Sequence, residues 1–204
     1  VPGEIFREAR HNIALYAYRS SDVYNYIFDE SNGRDVNACF NLLDIETEDE
    51  NYREAPSYAD EVKIMSDCGV MPQIYSMYNK PLTKIEFAKA MVRAMEVQLY
   101  IDKETSRYTD ITAGTFSNGC ANYVVEAGWI TPNSDTVFGA NDVMTYGEVQ
   151  DIIVSMCLEA EGAADQDFYK SNIMLNKNVS DTITYEELAS ILLQAATSTK
   201  EGRY

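Results

Sequence analysis

The chain has 204 residues, enough for a sizeable buried core and one or two domains. Its 46% apolar content is globular and excludes a disordered chain. Thirty-three acidic residues against 16 basic ones leave a net charge of −17, a field that repels nucleic acid and anionic membrane and so excludes both as expected partners.

Residues 1–38 form a segment of their own. Ile5, Phe6, Ala9, Ile13, Tyr16 and Ala17 fall at roughly helical spacing, which predicts an amphipathic helix from Glu4 to Arg19. Asp22 stands as the cap of a second helix, Val23 to Phe28, ending before Ser31-Asn32-Gly33. This N-terminal helical extension either covers the rest of the molecule in cis, the favoured reading, or acts as a docking arm on a neighbouring subunit.

Residues 39–204 contain three related stretches, approximately 40–98, 106–160 and 165–197. The first opens on Asp44-Ile45 in a turn-rich stretch, followed by a helix from Tyr58 to Val70 that Gly69 stops. The second repeats this order, with Asp110-Ile111 and then a helix around Asn118 to Ile130 that Gly128 stops. The third is short: only Asp167 to Leu175 remains for its first helix, and Asn172 stands where Gly is expected. Each stretch then reaches the same signature. The copies are Leu82-Thr83-Lys84-Ile85-Glu86-Phe87, Met144-Thr145-Tyr146-Gly147-Glu148-Val149 and Ile183-Thr184-Tyr185-Glu186-Glu187-Leu188.

Thr-x-x-Glu between two apolar residues is a capping box with a hydrophobic staple. The Thr hydroxyl accepts from the amide three residues on, and the Glu carboxylate accepts from the Thr amide. Thr83, Glu86, Thr145, Glu148, Thr184 and Glu187 are therefore expected as helix-capping residues. Counting from Thr, positions +4, +7, +8 and +11 are apolar in every copy: Phe87, Ala90, Met91, Ala94; Val149, Ile152, Ile153, Met156; Leu188, Ile191, Leu192, Ala195. That is one apolar stripe of helical period, three times, and such stripes are best buried against each other in a small bundle. The fold class expected is mainly α.

In this order of motifs the chain resembles the S-layer homology (SLH) family. The residues that carry the likeness are Phe40 with Asp44-Ile45, Gly69-Val70 and Leu82 to Phe87; then Tyr108-Thr109-Asp110-Ile111, Gly128-Trp129 and Met144 to Val149; and, in part, the third stretch. The resemblance implies a pseudo-threefold helical bundle of three helix-loop-helix repeats, with the second helices central. It also implies noncovalent attachment to secondary cell-wall polysaccharide in the grooves between repeats, where the family places the Arg of its Thr-Arg-x-Glu motif on an acidic sugar. In this sequence those positions hold Lys84, Tyr146 and Tyr185, which are the glycan-groove candidates. Lysine holds an anion as a point charge without a bidentate fork, and tyrosine brings a ring face and a hydroxyl but no charge.

Other features weigh less. Asn176-Lys177-Asn178-Val179-Ser180-Asp181-Thr182-Ile183-Thr184-Tyr185-Glu186-Glu187 brushes a calcium-loop pattern, offering Asn176, Asn178, Ser180 and Glu187 as oxygen ligands. Asp181 stands where that loop needs Gly, and the capping box already accounts for Glu187, so no cofactor is expected and calcium is the alternative. Cys39, Cys68, Cys120 and Cys157 are widely spaced and read as two disulfides or four thiols. Most of the 15 tyrosines, and Trp129 after its helix-stopping Gly, read as packing residues.

No nucleophile elbow, phosphate loop or dinucleotide fingerprint occurs, and no apolar run approaches the roughly 20 residues of a membrane span. The start Val1-Pro2-Gly3 is read as that of a secreted or cell-surface bacterial protein whose signal peptide has been removed. The expected function is non-catalytic and structural, with the chain itself as partner in self-assembly. Attachment to cell-wall polysaccharide is the alternative, and a carbohydrate-active enzyme a distant one.

Overall fold

The structure is a computed structural model, and it describes residues 13–17, 40–44, 58–71, 78–99, 101–102, 104–161 and 166–198. Among these the elements are β1 (Ile13–Ala17), β2 (Phe40–Asp44), α1 (Ala59–Asp67), α2 (Lys84–Ala94), α3 (Phe116–Glu126), α4 (Tyr146–Glu161), α5 (Gln166–Asn172) and α6 (Tyr185–Thr197). The architecture is mainly α.

One expectation is corrected at the N-terminus. Ile13–Ala17 is a strand, not part of a helix, and it pairs in parallel with β2, Ile13 opposite Phe40 and Ala17 opposite Asp44. Ile13-Ala14-Leu15-Tyr16-Ala17 is an unbroken apolar run that fits either period, so pairing with a distant strand decides its conformation. Asp44 consequently ends a strand and does not sit in a turn. The remainder of Glu4 to Arg19, the Val23 to Phe28 helix and Ile45 lie outside the described residues. β2 in turn packs against α1.

The glycine stops form as the sequence predicts. Gly69 and Gly128 adopt φ of +76° and +74°. Val70 N–H donates to Met65 O and Gly69 N–H to Ser66 O, both at 2.9 Å; Trp129 N–H and Gly128 N–H donate to Val124 O and Val125 O at 2.9 and 3.1 Å. These paired bonds close the last carbonyls of α1 and α3. The second of these helices starts at Phe116, capped by Thr115, slightly earlier than expected.

The capped helices α2, α4 and α6 satisfy every orphan donor of their first turn, and all three do it identically. Thr83, Thr145 and Thr184 donate their N–H to the carboxylates of Glu86, Glu148 and Glu187 at 3.0, 2.8 and 2.7 Å. Those glutamates return their own N–H to the threonine hydroxyls at 3.4, 3.3 and 3.4 Å. The two amides in between are taken by another segment of the chain. Lys84 donates to Asp142 O, Tyr146 to Asp181 O and Tyr185 to Lys80 O, at 2.9, 2.8 and 3.0 Å. Ile85, Gly147 and Glu186 donate to Ala140 O, Val179 O and Tyr78 O, at 3.2, 2.9 and 3.0 Å.

The residue before each threonine completes the pattern. Leu82 N–H donates to Ile183 O at 2.8 Å, Ile183 N–H to Met144 O at 3.2 Å, and Met144 N–H to Leu82 O at 2.9 Å. The three segments thus form a closed ring of backbone hydrogen bonds. Leu82, Met144 and Ile183 are all buried at its centre.

Helix packing also runs across the segments. α1 packs against α6, α3 against α2 and α5 against α4, so the first helix of each segment lies on the second helix of a different segment. Tyr58 at the start of α1 has no side-chain cap of its own, and its N–H donates to the Glu186 carboxylate of α6 at 3.2 Å. Of the predicted stripe, position +4 is wholly buried in all three helices and position +8 nearly so. At position +11, by contrast, Ala94 is exposed and Met156 and Ala195 are half-buried. The buried face is instead completed by position +5 (Ala88, Gln150, Ala189) and begins one turn earlier, at position +1 for Tyr146 and Tyr185.

The cap geometry predicts that Thr145→Ala and Thr184→Ala each cost about 1 kcal/mol. The melting midpoint should fall by roughly 2–4 °C for each, measured by scanning calorimetry. Unchanged midpoints would show that water replaces the hydroxyls.

Candidate functional site

The residue following each capping threonine is the position where a sugar-gripping side chain is expected. The structure puts the three candidates in two environments. Tyr146 is 3% exposed and Tyr185 4%, so neither offers a ring face to solvent. The reason is periodic: position +1 lies one turn before +4 and +5 on the same helical face, and that face is the core side. A large apolar ring placed there is drawn inward.

Tyr146 has a specific task in the core. Its hydroxyl accepts from Gln150 Nε2 at 2.9 Å and from Leu175 N–H at 3.1 Å, and donates to Ile173 O at 3.4 Å. Gln150 Nε2 also donates to Ile173 O at 2.6 Å. From α6, Gln194 Oε1 accepts the Met174 N–H at 2.7 Å. These side chains close the chain just beyond α5, where no glycine is present and Asn172 does not take up positive φ. Tyr146, Gln150 and Gln194 therefore do for α5 what Gly69 and Gly128 do for α1 and α3. Gln150 carries a signal in the sequence, an amide between Tyr146 and Val154 on the apolar side of α4; Gln194 carries none, since Ser190 stands one turn before it.

Lys84 is the candidate that keeps some access, its side chain being 18% exposed. Its ammonium donates to Asn133 Oδ1 at 2.7 Å and lies 3.7 Å from Asp142 Oδ2. Asn133 Nδ2 donates to the same Asp142 oxygen at 2.6 Å. The cation is thus met by an amide and a carboxylate of this chain, on the loop that joins α3 to α4. Gly139, at φ +84°, underlies this pair: a Cβ there would press into both Asn133 and Asp142. Neither Asn133 nor Asp142 is marked by spacing or motif, because their role depends on a loop reaching another segment.

The loop is fixed from its other side by Asp110, of the Asp110-Ile111 pair. Its carboxylate accepts from Phe138, Gly139 and Ala140 N–H at 2.9, 2.8 and 2.8 Å. Desolvation pushes the carboxyl up, but the three amide donors outweigh it and hold its pKa below the ordinary aspartate value.

At the calcium-like loop the structure places a lysine. Lys177 Nζ donates to Glu187 Oε2 and to Thr182 O, both at 2.6 Å. Glu187 Oε2 also accepts the Thr184 amide at 2.7 Å, so the carboxylate oxygen that calcium would need serves the capping box and an ammonium. Asn178 turns to Asp181, donating its N–H and Nδ2 to Oδ2 at 3.0 and 3.2 Å. Among the described residues, no three His, Cys, Asp or Glu side chains form a group that could hold a metal. Cys68, Cys120 and Cys157 are present as thiols, exposed, buried and half-buried in turn; Cys39 lies outside the described residues. Trp129 is half-buried, edge-on to Tyr123 with ring centroids 5.4 Å apart.

Comparison with protein-family models finds no family that matches the chain, and comparison with curated proteins finds no matching relative.

Two predictions follow from this geometry. Tyr146→Phe removes one hydroxyl and strips partners from Gln150 and the Leu175 amide, so it should cost about 1–3 kcal/mol in urea unfolding. A loss no larger than a surface change would sink the role given to Tyr146. For Asp110, a depressed pKa means that its contribution is present above about pH 4 and is lost as pH falls through the folded-state pKa. Glu186 acts in the opposite sense, since burial, then Glu187 and Glu61, hold its carboxyl above the ordinary range against the Tyr58 amide. Comparing Asp110→Asn with the parent isolates the first effect: the variant should be less stable at pH 7, and the gap should close below about pH 4. A gap that stays constant across that window would contradict the assignment.

Proposed function

We propose that the chain is a non-catalytic structural protein of S-layer-like type, built as a pseudo-threefold arrangement of three SLH-like repeats and acting by self-assembly on the cell surface. The repeat reading is supported by the nine matched backbone hydrogen bonds around the capped helix starts and by the rotation of partners in helix packing. The functional reading rests chiefly on one observation. The three positions with which a sugar-binding relative would grip its ligand are turned to internal use: Tyr146 and Tyr185 are buried, and Lys84 is met by Asn133 and Asp142. A scaffold whose grooves hold the molecule together is suited to presenting its outer surface to copies of itself.

Attachment to wall polysaccharide is the second reading, favoured by the residual access of Lys84. Light scattering and electron microscopy of the purified chain across a concentration series test the first. Discrete oligomers or extended assemblies are the expected result, and a strict monomer at high concentration overturns it. A pull-down on purified cell-wall sacculi tests the second: binding by the parent that Lys84→Ala abolishes would move the assignment to glycan attachment.

A further inference from the structure

Arg93 differs from the lysines that form ion pairs. Lys84, Lys170 and Lys177 each lie against a carboxylate of this chain. Arg93, in the last turn of α2, has no carboxylate within ion-pair reach among the described residues, and its Nε is buried with no hydrogen-bond partner. Its guanidinium carbon lies 5.0 Å from the ring centroid of Phe116, the first residue of α3. Desolvation holds its pKa below the usual arginine value, opposed by Cys120 of α3 and Tyr185 of α6, the ionisable groups that it feels most.

An aromatic face compensates a cation from above but accepts none of the in-plane N–H bonds of a guanidinium. The carbonyl end of α2 favours a positive charge there, yet it supplies no acceptor for the buried Nε–H, and a buried donor without a partner is costly. What the site lacks is an acceptor in the guanidinium plane. The group that matches the fork is a carboxylate, through two parallel charge-assisted bonds.

We propose that Arg93 is the recognition residue of a carboxylate-binding site at the junction of α2 and α3. The carboxylate comes from a free small molecule or from an Asp or Glu side chain of a second copy. The second source rests on the assembly reading, and a chain of net charge −17 supplies such side chains in excess. The site is separate from Lys84, and among the described residues no carboxylate pairs with its cation, which meets only the Phe116 ring.

The test uses the full chain labelled with nitrogen-15. The Arg93 Nε–Hε signal and the Phe116 and Cys120 amide signals are followed while sodium acetate is added, with sodium chloride as control, and separately while the protein is diluted. Either a saturable acetate response absent in chloride or a dilution response at the same signals is expected. Arg93→Lys, which keeps the charge but not the fork, should weaken the amide response about tenfold. Silence of all three signals in both series overturns the proposal, as does an undiminished amide response in Arg93→Lys. The parent titration is decisive by itself if the variant does not fold. An acetate response in a strictly monomeric protein would leave the site standing and remove the assembly reading, so the two fail separately.

Discussion

Three backbone hydrogen bonds, passed from Leu82 to Ile183 to Met144 and back to Leu82, hold the rest of the molecule in register. Each residue of this ring immediately precedes a capping threonine. Once the ring is set, the next two amides of each capped helix fall opposite carbonyls of the adjoining segment, and the last two orphan donors are left for the Thr-Glu box. A buried helix start must find partners for all its donors. Here half come from the box and half from another segment, so the helix starts and the association of the segments form together. The capping threonines are spaced 62 and 39 residues apart, yet the ring closes in the same way at each position. The intervening loops absorb the inequality.

The box was legible in the sequence because its chemistry is local: four residues contain both the donors and the acceptors. The glycine stops were legible for the same reason. The burial of Tyr146 and Tyr185 was present in the pattern, since position +1 shares a face with +4 and +5, whereas a likeness to a groove residue carries no information on burial. Helix partners were not legible. An apolar stripe says that a helix must be covered, not which helix covers it, and the observed pairing of α1 with α6 joins the first described helix to the last. Ile13–Ala17 shows the same limit, as its five apolar residues fit a helix or a strand until Phe40–Asp44 is placed beside them.

Charge is used sparingly inside this acidic molecule. Lys84 and Lys177 bind loops to capped helices through an ammonium that meets both a carboxylate and a neutral oxygen. Partly exposed pairs of this kind contribute little net stability, typically about 0–1 kcal/mol. Their effect is positional: one fixes the loop before α4, the other the loop before α6. The third capped helix start of this kind, at Tyr146, is tied to the α5 end by neutral hydrogen bonds instead. The same structural need is met by a cation at one helix start and by a phenol at another, which explains how the position can vary in chemistry without disturbing the ring.

The bond from the Tyr58 amide to the Glu186 carboxylate joins residues 128 positions apart, and it bears on the order in which the chain acquires its shape. α1 leaves the ribosome well before α6, the last described element and the helix that covers it. Contacts so distant in sequence close late, because most of the chain must be synthesised before either partner is buried. During translation, the apolar face of α1 waits for α6, and the Lys84 and Ile85 donors of α2 wait for Asp142 and Ala140. Biogenesis, more than the finished fold, is where this circular closure leaves α1 dependent on α6.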